Sequence, residues 1–255
     1  MAERPPAKMK PQAYGDSRPA EHFAHYHERV RRGKPNAVFE VVRMLMFPFA
    51  VLIFRGRCIS SENVPDGAVI LAPNHFSHLD HFFLGTFVRR RVQFMAKSQL
   101  FHPPLQWIYK YGGTFPVRRG AGDTEGIITA DAVLARGSAM VMYCEGGRSR
   151  TGDLASTPKR GIGRLALESG VPIVPVAIYG SSMVRNWKRL QFPRVTVQFG
   201  LPIRFEQVQE PTREQQQAAA NEIFSLIRNL YENLAQNGRA GTVKRLSDER
   251  KAAPR

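Results

Sequence analysis

The sequence predicts an α/β protein: a mixed central sheet covered by helices, preceded by N-terminal apolar helices that associate with a membrane. Two observations predict the sheet. Apolar runs of strand length recur along the chain, and between them lie segments whose apolar residues return every three or four positions. Strands alternating with helices build a sheet with helices on its faces. The third observation concerns the segment from Ala37 to about Phe54, which is apolar nearly all round and edged by Arg43, Arg55 and Arg57. Such a helix suits the headgroup–acyl boundary of an anionic bilayer, or else the core of the domain.

Taken in order, residues 1–19 are rich in proline and charge without periodicity and read as a disordered arm. Residues 20–56 read as the N-terminal helices. Phe23, Tyr26 and Val30 mark a first helix from Ala20 to Arg32, which Gly33-Lys34-Pro35-Asn36 breaks before the second begins. The longest apolar run there, Met44 to Phe54, is eleven residues interrupted by Pro48. A spanning helix needs roughly 20 residues, so this is not a plain transmembrane segment.

The main domain is expected over 57–238. Its candidate strands are Ala68–Ala72, Val92–Ala96, Gly113–Val117, Ala139–Cys144, Ile173–Ile178 and Val195–Phe199. Helical patterns separate them at His81–Arg89, Pro104–Tyr111, Thr124–Ala135 and Gly161–Ser169. Val171-Pro172-Ile173-Val174-Pro175-Val176 carries two prolines, which places this strand at an edge or along a cavity. The last helix opens at Thr212 with Gln215 three residues on, a capping box, and is expected to stop at Asn237-Gly238. Residues 239–255 read as a polar tail.

The chain has 37 Lys and Arg against 21 Asp and Glu, a formal charge of +16. A surface this basic favours anionic partners. The cations are spread along the chain without a helix-turn-helix, zinc-finger or aromatic–basic RNA signature, so nucleic acid is not the expected partner. Cys58 and Cys144 sit in apolar contexts and suggest a reducing compartment. No signal peptide is visible.

Chemistry gathers at the turns that follow the strands. In Ala72-Pro73-Asn74-His75-Phe76-Ser77-His78-Leu79-Asp80, His75 lies where strand becomes helix and Asp80 five positions on. The carboxylate can hold one ring nitrogen while the other acts as a base. Gly112-Gly113-Thr114-Phe115-Pro116-Val117-Arg118-Arg119 ends a strand in paired arginines, suited to phosphate or simply solvated at a sheet edge. The run Met140 to Cys144 delivers Glu145-Gly146-Gly147-Arg148-Ser149-Arg150 into a loop where glycine N–H groups and arginines can meet an anion. It lacks the Gly-Lys-Ser/Thr ending of a nucleotide loop. His75, His78, Asp80 and His81 include metal-ligand types, but their spacing is not a known zinc signature.

The ordered set Asn74-His75-x-Ser77-x-x-Asp80, Gly113 with Arg119, Glu145-Gly146-x-Arg148-Ser149 and Val171-Pro172-Ile173-Val174-Pro175 resembles the four motifs of the glycerolipid acyltransferase family. That family includes the 1-acylglycerol-3-phosphate acyltransferases, and the resemblance covers about residues 55–205. It implies that His75 is the general base on the acceptor hydroxyl and that Asp80 orients it. It places Lys97 near the reacting carbonyl, with the Gly146 N–H sharing the oxyanion. Arg119, Glu145, Arg148 and Ser149, with Arg118 as a weaker candidate, would bind the acceptor phosphate and glycerol. The acceptor would be a lysophospholipid and the co-substrate acyl-CoA or acyl-carrier protein, with no metal or redox cofactor. The expected location is peripheral or monotopic, on the cytoplasmic face of an anionic membrane. Gly147 departs from the family's usual Thr, which bears on acceptor identity more than on the reaction.

Overall fold

The structure is a computed structural model, and it describes residues 15–118, 124–149, 151–184 and 192–252. A short 3-10 turn at Ala20–Phe23 leads into α1 (Ala24–Arg32), followed by α2 (Ala37–Pro48) and a π-helical turn at Phe49–Ile53. There follow β1 (Arg57–Ile59), β2 (Val69–Pro73), α3 (Asp80–Phe87), β3 (Val92–Lys97), α4 (Gln106–Tyr111) and β4 (Thr114–Val117). The second half is α5 (Thr124–Ala135), β5 (Ala139–Val141), α6 (Gly161–Ser169), β6 (Ile173–Tyr179), β7 (Thr196–Phe199) and α7 (Arg213–Ala252).

The strands form one mixed sheet in the order β1-β7-β6-β2-β5-β3-β4. Only the β6–β7 pair is antiparallel. β2 is buried along its whole length, and its side chains alternate between two cores. Val69 and Leu71 join Phe39, Phe54, Phe83 and Leu84 on one face, while Ile70 and Ala72 join Ile162, Ile223 and Phe224 on the other. Burying side chains of this size contributes about 1.5–3 kcal/mol each, and these two layers hold the central strands in register. Gly163 lets α6 and α7 touch: a Cβ there would stand 1.9 Å from Gln216 O.

Several expectations are corrected. The proline strand, β6, is not at an edge but third in the sheet, between β7 and β2. Pro172 falls just before the strand, and Pro175 within it is accommodated by a bulge. Val176 pairs with Phe199 and Ile173 bridges to Ile203, so one extra residue on the β7 side faces Pro175. Gly200 N–H donates to Pro175 O at 2.8 Å across this bulge. By contrast Pro116 lies in β4, an edge strand, where a missing donor is tolerated.

The polar tail is also corrected: helix continues to Ala252 after a break at Gly238, whose φ of 61° lies in the left-handed region. Beyond the break, Thr242 is buried and Leu246 packs with the cluster of Ile59, Ala177 and Leu234. At the other end, Asp16 and Arg18 are ordered, with Arg18 Nη1 donating to Phe101 O at 2.7 Å. The expected arm thus ends no later than residue 14, and residues 1–14 lie outside the described residues.

The two N-terminal helices differ. α1 is docked on the domain through Tyr26, His27 and Val30, with His27 Nδ1 2.8 Å from Thr129 Oγ1. Of α2 only Phe39 is buried, and Met44 and Leu45 are 67% and 64% exposed. The segments Ala20–Arg32 and Ala37–Ile53 meet at 90°, and among the described residues no single helix is long and apolar enough to cross a membrane.

Candidate active site

Parallel β2, β5, β3 and β4 are neighbours, so their carboxyl ends form one rim of the sheet. His75 follows β2, Glu145 to Ser149 follow β5, Lys97 ends β3 and Arg118 follows β4. The described residues singled out from sequence therefore converge on one edge, where open α/β sheets present their sites. Arg119 lies outside the described residues, as does Arg150.

The turn between β2 and α3 is held from all sides. His75 Nδ1 lies 2.9 Å from Asp80 Oδ2, and the same oxygen accepts from Phe76 N at 2.7 Å and Ser77 N at 2.8 Å. Asp80 is fully buried, and these three donors stand in for water at Oδ2, while Oδ1 has no hydrogen-bond partner among the described residues. Asn74 ties the turn to β6: its Nδ2 donates to Ile178 O at 3.2 Å, and its Oδ1 accepts from Ile178 N at 2.7 Å. Ser77 Oγ accepts from Leu79 N at 3.1 Å and shapes the entry to α3.

The loop after β5 clasps the backbone of His75. Glu145 Oε1 accepts from His75 N at 2.8 Å, and Ser149 N donates to His75 O at 2.8 Å. Both backbone polar groups of His75 are thereby fixed by the other loop. Glu145 is tied to the histidine's own backbone, where the resemblance implies contact with the acceptor. Burial pushes its carboxyl up to about 7 in spite of the His75 N–H bond. Gly146 has φ +63°, and a Cβ there would stand 2.7 Å from Lys159 Cγ. Its N–H donates to Tyr143 O at 3.2 Å, so the turn itself uses the donor that the sequence reading offered to an oxyanion.

Two aromatic rings complete the surroundings: Tyr143, which the sequence did not single out, and His81, which it offered only as a metal-ligand type. Tyr143 stacks on His75 with centroids 4.0 Å apart and planes at 28°, and His81 meets His75 edge-on at 5.2 Å. Burial and the adjacent His75 push the His81 imidazole down to about 3, so it is neutral at neutral pH. Tyr143 sits in an apolar run that reads as strand, so only its place two residues before Glu145 could have marked it. Among the described residues no group of three or more His, Cys, Asp or Glu side chains is placed to hold a metal ion.

His75, Lys97, Tyr143 and Arg148 line one small recess of about 30 Å³. It shares His78, His81, Ala96 and Leu100 with an apolar cavity of about 380 Å³. The cavity runs between α2, α3 and α4, past Val42, Met46, Phe82, Gly85, Phe94 and Ile108. An imidazole, two cationic side chains and an apolar cavity thus meet at one point.

Residues 55–179 match the family model described as Acyltransferase. A 1-acyl-sn-glycerol-3-phosphate acyltransferase of Saccharomyces cerevisiae is 32% identical over 144 residues, covering 54% of this chain and 47% of its own. The beta form of that enzyme from Homo sapiens is 33% identical over 132 residues, covering 50% and 47%. The chain thus spans about half the length of these curated relatives. The crystal structure of the 1-acyl-sn-glycerophosphate acyltransferase PlsC from Thermotoga maritima shares the fold, with TM-score 0.64 at 23% identity over 82% of this chain and 83% of that one. Motif order, family model and fold agree that residues 55–179 form a domain of the acyltransferase family.

Proposed function

We propose that the protein moves an acyl group from a thioester to the free hydroxyl of 1-acylglycerol 3-phosphate, giving phosphatidic acid. The observation that carries this reading is the His75–Asp80 pair, set in a recess with Lys97 and Arg148 at the end of an apolar cavity. Asp80 holds Nδ1, so Nε2 is the nitrogen that takes the proton from the acceptor hydroxyl as its oxygen attacks the thioester carbonyl. The imidazolium that forms is stabilised by the adjacent carboxylate. Lys97 faces the same recess and supplies positive charge to the tetrahedral oxyanion. The thioester is already activated, so collapse of that intermediate expels the thiolate, which takes up the proton, and no acyl-enzyme forms.

Arg148 binds the acceptor phosphate, with Arg118, Arg119 and Ser149 as further contacts implied by the motifs. Glu145 acts by holding the His75 peptide. The acyl chain of the donor, acyl-CoA or acyl-carrier protein, lies in the cavity between α2, α3 and α4. No metal takes part. Exposed Met44, Leu45 and Leu52 rest the protein on the cytoplasmic face of an anionic membrane as a peripheral or monotopic enzyme, so that lysophospholipid reaches the recess from the bilayer.

The reading is tested by giving the purified protein palmitoyl-CoA with lysophosphatidic acid, glycerol 3-phosphate or lysophosphatidylcholine in micelles and identifying products by mass spectrometry. Phosphatidic acid formed only with lysophosphatidic acid is the expected result. Product from another acceptor keeps the mechanism and overturns the substrate; no product from any, with acyl-carrier protein donors also tried, overturns the reading.

A further inference from the structure

The apolar face of α2 and its π-helical turn ends on a cluster of cations outside the recess. Leu52 and Ile53 are 73% and 40% exposed, and Arg55 follows after the buried Phe54. Arg55 Nη2 donates to the carbonyl of Phe192, whose exposed ring packs on Phe54 with centroids 5.9 Å apart. β1 and β7 run parallel with Arg57 in register with Thr196, so Arg194, two residues before Thr196, lies at the same end of the pairing as Arg57. Arg239 reaches in from the break in α7, with Nε on Thr196 Oγ1 at 3.1 Å and its two terminal nitrogens on Arg55 O and Val195 O, each at 3.0 Å.

Four guanidinium groups therefore share one corner. Burial, and after it the charges of Arg57, Arg194 and Arg55, push the Arg239 side chain down from its ordinary value, which puts the other three cations near it. Among the described residues none of the four pairs with a carboxylate. Arg245 and Arg250 of the same helix do, with Glu249 at 3.3 Å and Glu62 at 2.6 Å. The cluster thus lies immediately beside an apolar row. Arginine with its planar fork of donors suits phosphate oxygens, and a positive rim on an apolar face matches the depth profile of an anionic leaflet.

We propose that Arg55, Arg57, Arg194 and Arg239 seat the phosphate headgroup of an anionic phospholipid at the rim of the apolar face, fixing how the domain rests on the bilayer. The inference takes from the proposed function only that this face meets lipid. It adds a lipid site away from the recess, formed by β1, β7 and the break in α7.

The test is sedimentation of the full chain with vesicles of phosphatidylcholine, with or without phosphatidylglycerol. An Arg55/Arg57/Arg194→Gln variant should lose affinity for the anionic vesicles by about fivefold per arginine, on the order of a hundredfold in all, with little change on neutral ones. The matching three-Lys variant should recover most of the loss, and acyl transfer in detergent micelles should be unchanged. Equal binding of wild type and the Gln variant to anionic vesicles overturns the proposal, as does an equal loss on neutral vesicles. Leu52→Asp separates the two readings. If it leaves vesicle binding intact, the membrane reading itself fails; if it abolishes binding while the arginine variant is silent, only the headgroup seat fails.

Discussion

The turn after β2 and the helix α2 are both largely apolar or uncharged in sequence, yet the structure treats them oppositely. In the turn, Asn74, His75, Ser77 and Asp80 are buried and joined by hydrogen bonds to α3, β6 and the loop after β5. In α2 and its continuation, Met44, Leu45, Phe47 and Leu52 are more than half exposed. The first region is tied down largely within the molecule, with Asp80 Oδ2 taking three hydrogen bonds. The second is incomplete, because an exposed apolar patch of this kind implies a partner outside the chain. The difference teaches where to look for each half of the function: chemistry in the over-determined turn, location in the unsatisfied helix.

If the turn is the chemical half, changes there should act on rate before anything else. Asp80→Asn should lower the acyl-transfer rate on the order of 10²-fold or more, because an amide no longer favours the Nδ1–H tautomer or balances the imidazolium. Steady-state rates in micelles check this, and an unaltered rate would break the comparison.

Glu145→Ala should act next, on both rate and stability. It leaves the buried His75 N–H without its acceptor, which costs about 1–3 kcal/mol in chemical denaturation. Glu145→Gln keeps an acceptor and should keep most of the rate, which separates a clasp from an acceptor-binding carboxylate.

The cavity joins the two regions, since α2 forms one wall and α3 another. At Gly85 an added Cβ would meet Phe94 and Phe39 at ordinary contact distances of 3.8 and 3.9 Å, so a side chain there fills the channel without breaking the helix. Gly85→Leu should shift preference from palmitoyl- towards decanoyl-CoA by about tenfold in relative initial rate. An unchanged preference would place the acyl chain elsewhere.

The smallest effect expected is on pH dependence. The folded chain keeps the Glu145 proton up to about 7, whereas the usual value is 4.5. Between those values the native state binds more protons than the unfolded one, so stability falls as pH rises through this window and levels off above it. Glu145→Gln should flatten that slope in urea melts taken from pH 4.5 to 7, and an identical slope in both proteins would refute the burial argument.

Much of this was legible in the sequence because it depends on local pattern. The buried runs at Val69, Val92, Ala139 and Ile173 became strands within a few residues of their expected limits, since each carries enough apolar surface to demand two covered faces. His75 and Asp80 were legible because one turn brings them together. What escaped depends on distant partners. β1 is three residues long and was not among the expected strands; it becomes one by pairing with β7. Residues 239–252 look solvated, but Arg239 meets Thr196 of β7 and Leu246 packs with Ile59 of β1, far away in the chain. The clasp of Glu145 and Ser149 on the His75 backbone could not be read either, because spacing says nothing of which atom a side chain meets.

The account rests most directly on His75 as the base. The deciding measurement is lysophosphatidic-acid-dependent release of CoA from palmitoyl-CoA by wild type and His75→Ala, with thermal melts to show that both are folded. The account predicts a loss of about 10²–10⁴-fold in the variant with its melting little changed. A folded variant that transfers at near the wild-type rate would contradict it.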